Sequence, residues 1–294
     1  MSLEGLARVL EERRLLVEEA LRQLAPSSES PVVVGAVADS LFAPAKRLRP
    51  ILSLLVAEML HGEPGSVLPA ACAVEMVHTA SLILDDLPCM DDASMRRGRP
   101  ACHVAHGEAT ALLAAFALLN RAYEILAEGW SDGPDARARA AIARELARAV
   151  GLKGMIAGQA ADLAMTGKSI DFPTLEFIHS RKTGALFIAA ASLGAQAAGA
   201  QGAERAAIEA YAKNLGLAFQ IVDDLIDATG TTGEAGKDVD KDSDKTTFVS
   251  FAGVEGAKQL AAELVKVSRE ALAGFGPRAE ALLDLASYVV ARRR

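Results

Sequence analysis

Two short runs of aspartate, each closing a strongly apolar stretch, constrain this chain more than any other feature. The first is Asp85-Asp86-Leu87-Pro88-Cys89-Met90-Asp91-Asp92, and the second is Gln220-Ile221-Val222-Asp223-Asp224-Leu225-Ile226-Asp227. Carboxylates this close repel one another, so burying their shared face demands cations. Asp223 and Asp227 stand four residues apart and share a helix face, with Gln220 one turn earlier on the same side. Oxygen ligands at that spacing suit Mg²⁺, which keeps waters and is completed by substrate phosphates. Asp85 and Asp91 are six residues apart, which a regular helix would place on nearly opposite faces. Pro88 interrupts the hydrogen-bond ladder between them, so a bulge or kink is predicted that brings Asp91 round to Asp85. A lone acidic run is usually a solvated helix end. Two of them, both embedded in apolar sequence, argue against that reading.

The surrounding sequence is helical in character. Of 294 residues, 51% are hydrophobic but only 4% aromatic, which favours helices packed through small side chains over strands. Helices are predicted at 3–24, from about Arg49-Pro50 to Leu60, at 67–86, 108–128, 135–150, 153–166, 173–182, 185–198, 203–228, 255–273 and 277–291. No segment reads as a strand. Residues 229–246 form a polar loop rich in Gly, Asp and Lys, and a long loop inside a compact domain is often functional. No linker or repeat divides the chain, so residues 1–294 read as one all-α domain of about ten or more helices.

The net charge of −7 argues against a nucleic-acid-binding surface. Cys72, Cys89 and Cys102 form no CxxC pair, the charged N-terminus lacks an export core, and no run of 18 uncharged apolar residues spans a membrane. A reduced, cytoplasmic protein is the expectation. Against this acidic background two basic clusters stand out, Lys46-Arg47-Leu48-Arg49 and Arg96-Arg97-Gly98-Arg99. The first precedes a helix start, where unpaired N–H groups add to anion affinity. Arginine pairs bidentately with phosphate, whereas lysine acts as a point charge. His78 lies two helical turns before Asp85, on its face. Acidic beside basic clusters suggest one diphosphate held through Mg²⁺ and another held directly by Lys and Arg, while Ala- and Leu-rich helices could line a tunnel for a hydrocarbon. The closing Arg292-Arg293-Arg294 could reach the site as a flexible basic flap, but reads in preference as a solvated tail.

Seven ordered motifs carry a resemblance over nearly the whole chain. They are Lys46-Arg47-Leu48-Arg49-Pro50, the stretch from His78 to His103 around the first aspartate run, Gly158-Gln159-Ala160-Ala161-Asp162-Leu163, Lys182-Thr183-Gly184, Phe219-Gln220 through Asp227, Gly236-Lys237 and Asp244-Lys245-Thr246. With these the sequence resembles the trans-prenyl diphosphate synthases, most of all the bacterial geranylgeranyl diphosphate synthases of carotenoid pathways. The resemblance implies the isoprenoid synthase fold, a helical bundle around a deep central cavity, commonly as a homodimer. It implies an Mg²⁺-dependent condensation of isopentenyl diphosphate with an allylic diphosphate, using three ions per site. Asp85 and Asp91 would bind metal with Asp86 in support, and Asp223 and Asp227 would bind it from the facing helix. Arg96, Lys182, Thr183, Gln220 and Lys237 would hold the allylic diphosphate, with Lys182, Arg96 and Lys237 neutralising it as it leaves. Lys46, Arg49, His78 and Arg97 would hold isopentenyl diphosphate, and Lys245 would help close the loop. Two departures from the family pattern are Pro44-Ala45 in place of Gly-Gly and Gly230-Thr231 in place of Gly-Asp.

In the family, bulky aromatics four or five residues before the first Asp stop chain growth early. Here those positions are Ser81 and Ala80, both small, with Met76, Val77 or Phe116 as a deeper floor. A C20 product is the expectation and C15 the alternative. A terpene cyclase would carry a second motif nearer NDxxSxxxE, and would make hydrocarbon from one allylic diphosphate alone. A non-catalytic subunit would be expected to have damaged acidic motifs, and both are intact here.

Overall fold

Apolar residues at three- and four-residue spacing, many of the buried ones alanine, build an all-α molecule. The computed structural model describes residues 3–27, 29–229 and 246–292. The helices are α1 (Leu3–Leu24), α2 (Pro31–Leu41), α3 (Leu48–Met59), α4 (Pro64–Asp85), α5 (Cys102–His106), α6 (Glu108–Glu128), α7 (Ala136–Val150), α8 (Met155–Met165), α9 (Phe172–His179), α10 (Ala185–Ala197), α11 (Gly202–Thr229), α12 (Phe248–Ala271) and α13 (Glu280–Ala291). A π turn, Ser180–Gly184, joins α9 to α10, and a 3-10 segment, Ala273–Ala279, precedes α13. Among the described residues the only strands are β1 (Met95–Arg96) and β2 (Arg99–Pro100), an antiparallel pair.

Helices α4 and α10 form the centre. In α4 the run from Ala70 to Val77 is buried, as are Thr79, Ala80 and Ile83, and α10 buries Ala185 to Phe187 and Ala189 to Ala195. Around them pack α3, α6, α7 and α11. Each fully buried Leu, Ile or Met contributes about 1.5–3 kcal/mol relative to exposure. Small residues let the axes approach: a Cβ at Gly194 of α10 would lie 2.2 Å from the Ser53 carbonyl oxygen of α3. Ser53 returns the contact, its Oγ donating to the Ala190 carbonyl at 2.7 Å.

Helices α4 and α6 are long and apolar enough to cross a membrane by length and composition, with mean hydropathies of 1.7 and 1.3. Most of the α4 stretch, 67%, is buried inside the molecule, against 39% for α6. So α4 is a core helix, while α6 keeps an open apolar face.

Five elements depart from the sequence expectation. Helix α2 is formed by a segment whose Val32-Val33-Val34-Gly35 start carries weak helix propensity. The hairpin β1–β2 and the short α5 were not foreseen. The segment Phe248–Ala252 that opens α12 was not expected; Gly253, φ 72° and ψ 167°, breaks the helix there, and the longer part beyond it matches the helix expected from residue 255. The helix expected over 173–182 stops at His179 and continues as the π turn.

Candidate active site

The first acidic wall is the C-terminus of α4. The helix ends at Asp85, with Pro88 unable to continue it. The chain then doubles back, the Asp91 N–H donating to the Asp85 carbonyl at 2.9 Å and Ala93 to that of Asp86 at 3.1 Å. The predicted distortion is therefore a helix end with a folded-back turn, not a bulge inside a helix, and it does return Asp91 to Asp85. One oxygen of Asp85 accepts from Gln159 Nε2 at 2.6 Å and from Lys182 Nζ at 3.3 Å, and Lys182 also meets Asp162 at 2.7 Å. Burial raises the Asp85 pKa; Lys182 opposes this, and Asp91 adds to it. Burial works against the Lys182 charge, but Asp85 and Asp162 outweigh it and raise its pKa.

Asp86, expected in support of Asp85 and Asp91, is buried and grips Arg96, which donates Nε at 2.9 and 3.1 Å and closes a second contact through Nη2. Its carboxylate follows Asp85 by one helical step, so it leaves the helix on a different side. There it anchors the β1–β2 hairpin that carries Arg96 and Arg97. Arg97 and Gly98 form the two-residue turn, both with positive φ, 52° and 73°.

The second wall is the C-terminal half of α11. Gln220 accepts from Thr183 Oγ1 at 2.9 Å and donates to Asp224 at 2.9 Å. Asp224 is buried and accepts the Phe248 N–H at 2.9 Å, which fixes the start of α12. Burial pushes its pKa up to about 6, against the hydrogen bonds from Gln220 and Phe248. Asp223 and the exposed Asp227 flank Asp224, and their like charges add to that rise.

The π turn joins the two walls. Two consecutive residues point opposite ways: Lys182 reaches Asp85, and Thr183 reaches Gln220. Such turns insert one extra residue and recur at functional sites. Helix α8 can lie against this turn only because residue 158 is glycine, since a Cβ there would sit 2.1 Å from the Lys182 backbone nitrogen. That approach brings Gln159 and Asp162 to the first wall. The sequence had shown both as parts of a motif but gave them no role.

The basic side lies at the start of α3. Arg49 Nη1 is 3.1 Å from His78 Nε2, and its guanidinium sits 4.6 Å above the Phe187 ring. Burial lowers the Arg49 pKa to about 10, with Glu75 and Asp223 opposing and Arg97 and Arg292 adding to the fall. Burial likewise takes His78 well below its ordinary value, helped by Arg49 and Arg97, so the imidazole is neutral and accepts from Arg49. Burial lowers Arg97 too. Lys46 is exposed at the rim.

Arg292 overturns the reading of a solvated tail. Its side chain is only 4% exposed. Nη2 donates to Asp223 Oδ1 and to the Phe219 carbonyl, both at 2.7 Å, and the guanidinium lies 3.8 Å over the Phe219 ring. Phe219 in turn packs on Phe187 at 5.1 Å between centroids. Two arginines, Arg292 and Arg49, thus flank an aromatic pair. Lys237, Lys245, Gly230-Thr231, Arg293 and Arg294 lie outside the described residues.

Of the residues expected to limit chain length, Ala80, Met76 and Val77 are buried, and Ser81 bonds back to the His78 carbonyl at 2.8 Å. Phe116, expected at the tunnel floor, is instead 64% exposed. Helix α6 turns Ala111, Ala114, Ala115 and Leu118 inward, and Phe116 falls on the opposite side with Leu112 and Leu113. A cavity of about 190 Å³ runs along α4 past Asp86, Ile83, Leu82 and Thr79, on a face that Ala80 and Ser81 do not line.

A family model described as polyprenyl synthetase matches residues 31–273. The chain is 42% identical over 285 residues to a chloroplastic geranylgeranyl pyrophosphate synthase of Capsicum annuum, covering 96% of this chain and 77% of that one. It is 41% identical over 286 residues to a geranylgeranyl diphosphate synthase of Cyanophora paradoxa, covering 96% and 95%. Among solved structures it is similar to an FPP/GFPP synthase from Zymomonas mobilis, with a TM-score of 0.87 at 34% identity over 97% and 99% of the two chains. A geranyltransferase from Legionella pneumophila gives 0.89 at 31% identity over 99% and 98%.

Proposed function

We propose, from the premise that this chain belongs to the polyprenyl synthetase family, that its product is geranylgeranyl diphosphate. The activity itself is that of a prenyltransferase: it joins isopentenyl diphosphate to an allylic diphosphate and yields a longer all-trans prenyl diphosphate. One observation carries the site assignment. Adjacent residues of the π turn, Lys182 and Thr183, tie the two acidic helix ends to one another.

Members of the family depend on Mg²⁺. The donors here fit it. Asp85, raised by burial and by its neighbour Asp91, is matched by the Lys182 ammonium, and Asp223 by the Arg292 guanidinium. Among the described residues no group of three or more His, Cys, Asp or Glu forms a cage. Mg²⁺ commonly keeps waters and is completed by substrate phosphates. Asp85 and Asp91 would hold it from one wall, Asp223 and Asp227 from the other, three ions in all. Bound there, the metal supplies electrostatic stabilisation of the departing diphosphate.

The chain's own residues do the rest. Arg96, Lys182 and Lys237 neutralise the allylic diphosphate as its C–O bond breaks, with Thr183 and Gln220 fixing its place. Lys46, Arg49, His78 and Arg97 hold isopentenyl diphosphate so that its double bond faces the allylic carbon. A new C–C bond forms and one proton is lost. Asp85, Asp86, Asp162, Asp223 and Asp224 are committed to Lys182, Arg96, Arg292 and Phe248. In this reading the released diphosphate is the base that takes the proton. Small Ala80 and Ser81 support a C20 rather than a C15 product.

The chain acts as a homodimer in this reading. The open face of α6, with Leu112, Leu113 and Phe116 at 40%, 57% and 64% exposure, supports a second copy docking there. The deciding experiment for the activity is Asp223→Ala. Turnover with both substrates at ordinary Mg²⁺ should fall by roughly a hundredfold or more, in the range typical of losing one electrostatic contact. Helical content should be unchanged. Full turnover would refute the scheme.

A further inference from the structure

Three of the four residues in Lys46-Arg47-Leu48-Arg49 are basic, and the middle one has no part in the chemistry above. Arg47 points the other way. It stands at the start of α3 in the left-handed region, φ 52° and ψ 34°, a conformation that a side chain with a Cβ rarely adopts. The twist turns its guanidinium into the core, where the side chain is 1% exposed. Nη1 bonds Glu75 Oε1 at 2.7 Å, and Nη2 bonds the Leu41 carbonyl at 2.6 Å and that of Ala43 at 3.4 Å. Nε has no hydrogen-bond partner, and Glu18 Oε1 lies 3.9 Å from it. Glu75 on α4 is equally enclosed, 2% exposed.

The position of this pair matters more than its burial. Glu75 precedes His78 by one helical turn, and Arg47 precedes Arg49 by two residues. Two cross-links therefore join the start of α3 to α4 side by side: Arg47 to Glu75 in the core, and Arg49 to His78 at 3.1 Å in the pocket. The Leu41 and Ala43 carbonyls extend the grip to the end of α2 and the segment leading into Lys46. Glu75 is also a negative charge set behind a cluster of cations, and its field supports the charge on Arg49 and Arg97.

We infer that Arg47 and Glu75 are positioning residues for the isopentenyl diphosphate pocket, a buried ion pair that sets how Lys46 and Arg49 face His78 and Arg97. This rests on the assignment of that pocket given above. Neither residue touches substrate. A buried pair is a poor source of net stability but a strict one of geometry, because its members have no acceptable place other than against each other. The allylic side, held by Lys182, Thr183, Gln220 and Arg96, takes its geometry from the π turn and from Asp86 and does not depend on this pair.

The test compares the Michaelis constants of the two substrates in the full-length enzyme. Glu75→Gln keeps the shape and removes the charge. The expected result is a rise of about tenfold in KM for isopentenyl diphosphate, with kcat and the KM for the allylic partner within about twofold. Arg47→Lys keeps the charge but loses the fork to Leu41 and Ala43, and should give an intermediate rise. Because a buried charge left alone can prevent folding, the paired variant Arg47→Met with Glu75→Leu is made in parallel, since an apolar pair of like volume is tolerated there. It should melt as a folded protein and still show the raised KM. A purely structural role would change the active fraction and leave the KM ratio of the two substrates alone, which overturns the proposal. Arg49→Gln separates the two levels. If it leaves KM for isopentenyl diphosphate unchanged, the pocket assignment fails; if it raises KM while Glu75→Gln does not, only the positioning role fails.

Discussion

Arg292 and Asp223 share one carboxylate oxygen at 2.7 Å, so a metal ion on that oxygen must compete with a guanidinium. Arg292→Gln should bind Mn²⁺ several-fold more tightly in the absence of substrate, read by titration with electron paramagnetic resonance, and Asp223→Asn should erase the difference. Unchanged affinity would mean that Asp223 is not a metal ligand. Ala80→Phe belongs to the same scale. A ring five residues before Asp85 replaces a methyl that is 3% exposed, and chromatography should show products shortened from C20. An unchanged product would place the tunnel elsewhere. Asp85, Asp223, Lys182 and Arg49 were legible because their spacing and neighbours form patterns within a few residues. Arg292 was not, since it lies 69 positions from its partner and ends a helix whose own pattern says nothing of Asp223. Asp86 sits inside the pattern, and its one-residue offset sends it to Arg96, a partner that the spacing of the run does not show.

Helices carry the next level, and their contacts are set by a few residues that cannot grow. Gly158 is the clearest case, because the atom a Cβ would meet, 2.1 Å away, is backbone nitrogen that no rotamer change can move. In Gly158→Ala, α8 must shift, taking Gln159 from Asp85 and Asp162 from Lys182. A displacement near 1 Å at such a site lowers turnover by about a hundredfold. Kinetics should show that loss with circular dichroism intact; near-normal turnover would show that α8 has slack. Most helices could be read from hydrophobic spacing, α1 and α6 to the residue. Helix α2 could not, because Val-rich starts are ambiguous between helix and strand and only packing against α6 and α4 decides. The β1–β2 hairpin escaped because two-residue strands leave no periodicity.

At the scale of the whole molecule, the family fold was legible from seven motifs, but the open side of α6 was not. Leu112, Leu113 and Phe116 face out of a helix that reads as core from composition alone. If a second copy covers them, sedimentation should give about twice 30.7 kDa. Leu113→Glu with Phe116→Glu should then halve it, and a double variant that stays dimeric would locate the interface elsewhere. The π turn between α9 and α10 has a consequence for the chain as a whole. It is one residue longer than a regular turn, so loss of a single codon within 180–184 would let the two helices run on as one, with composition and charge nearly intact. The helix beyond the deletion would keep its place, since the wider turn already absorbs the extra residue, while the residues left in the turn would take regular helical spacing. Lys182 and Thr183 could no longer reach opposite walls. Such a mutant would look, to any census of residues, like a healthy member of its family, and would have no working centre.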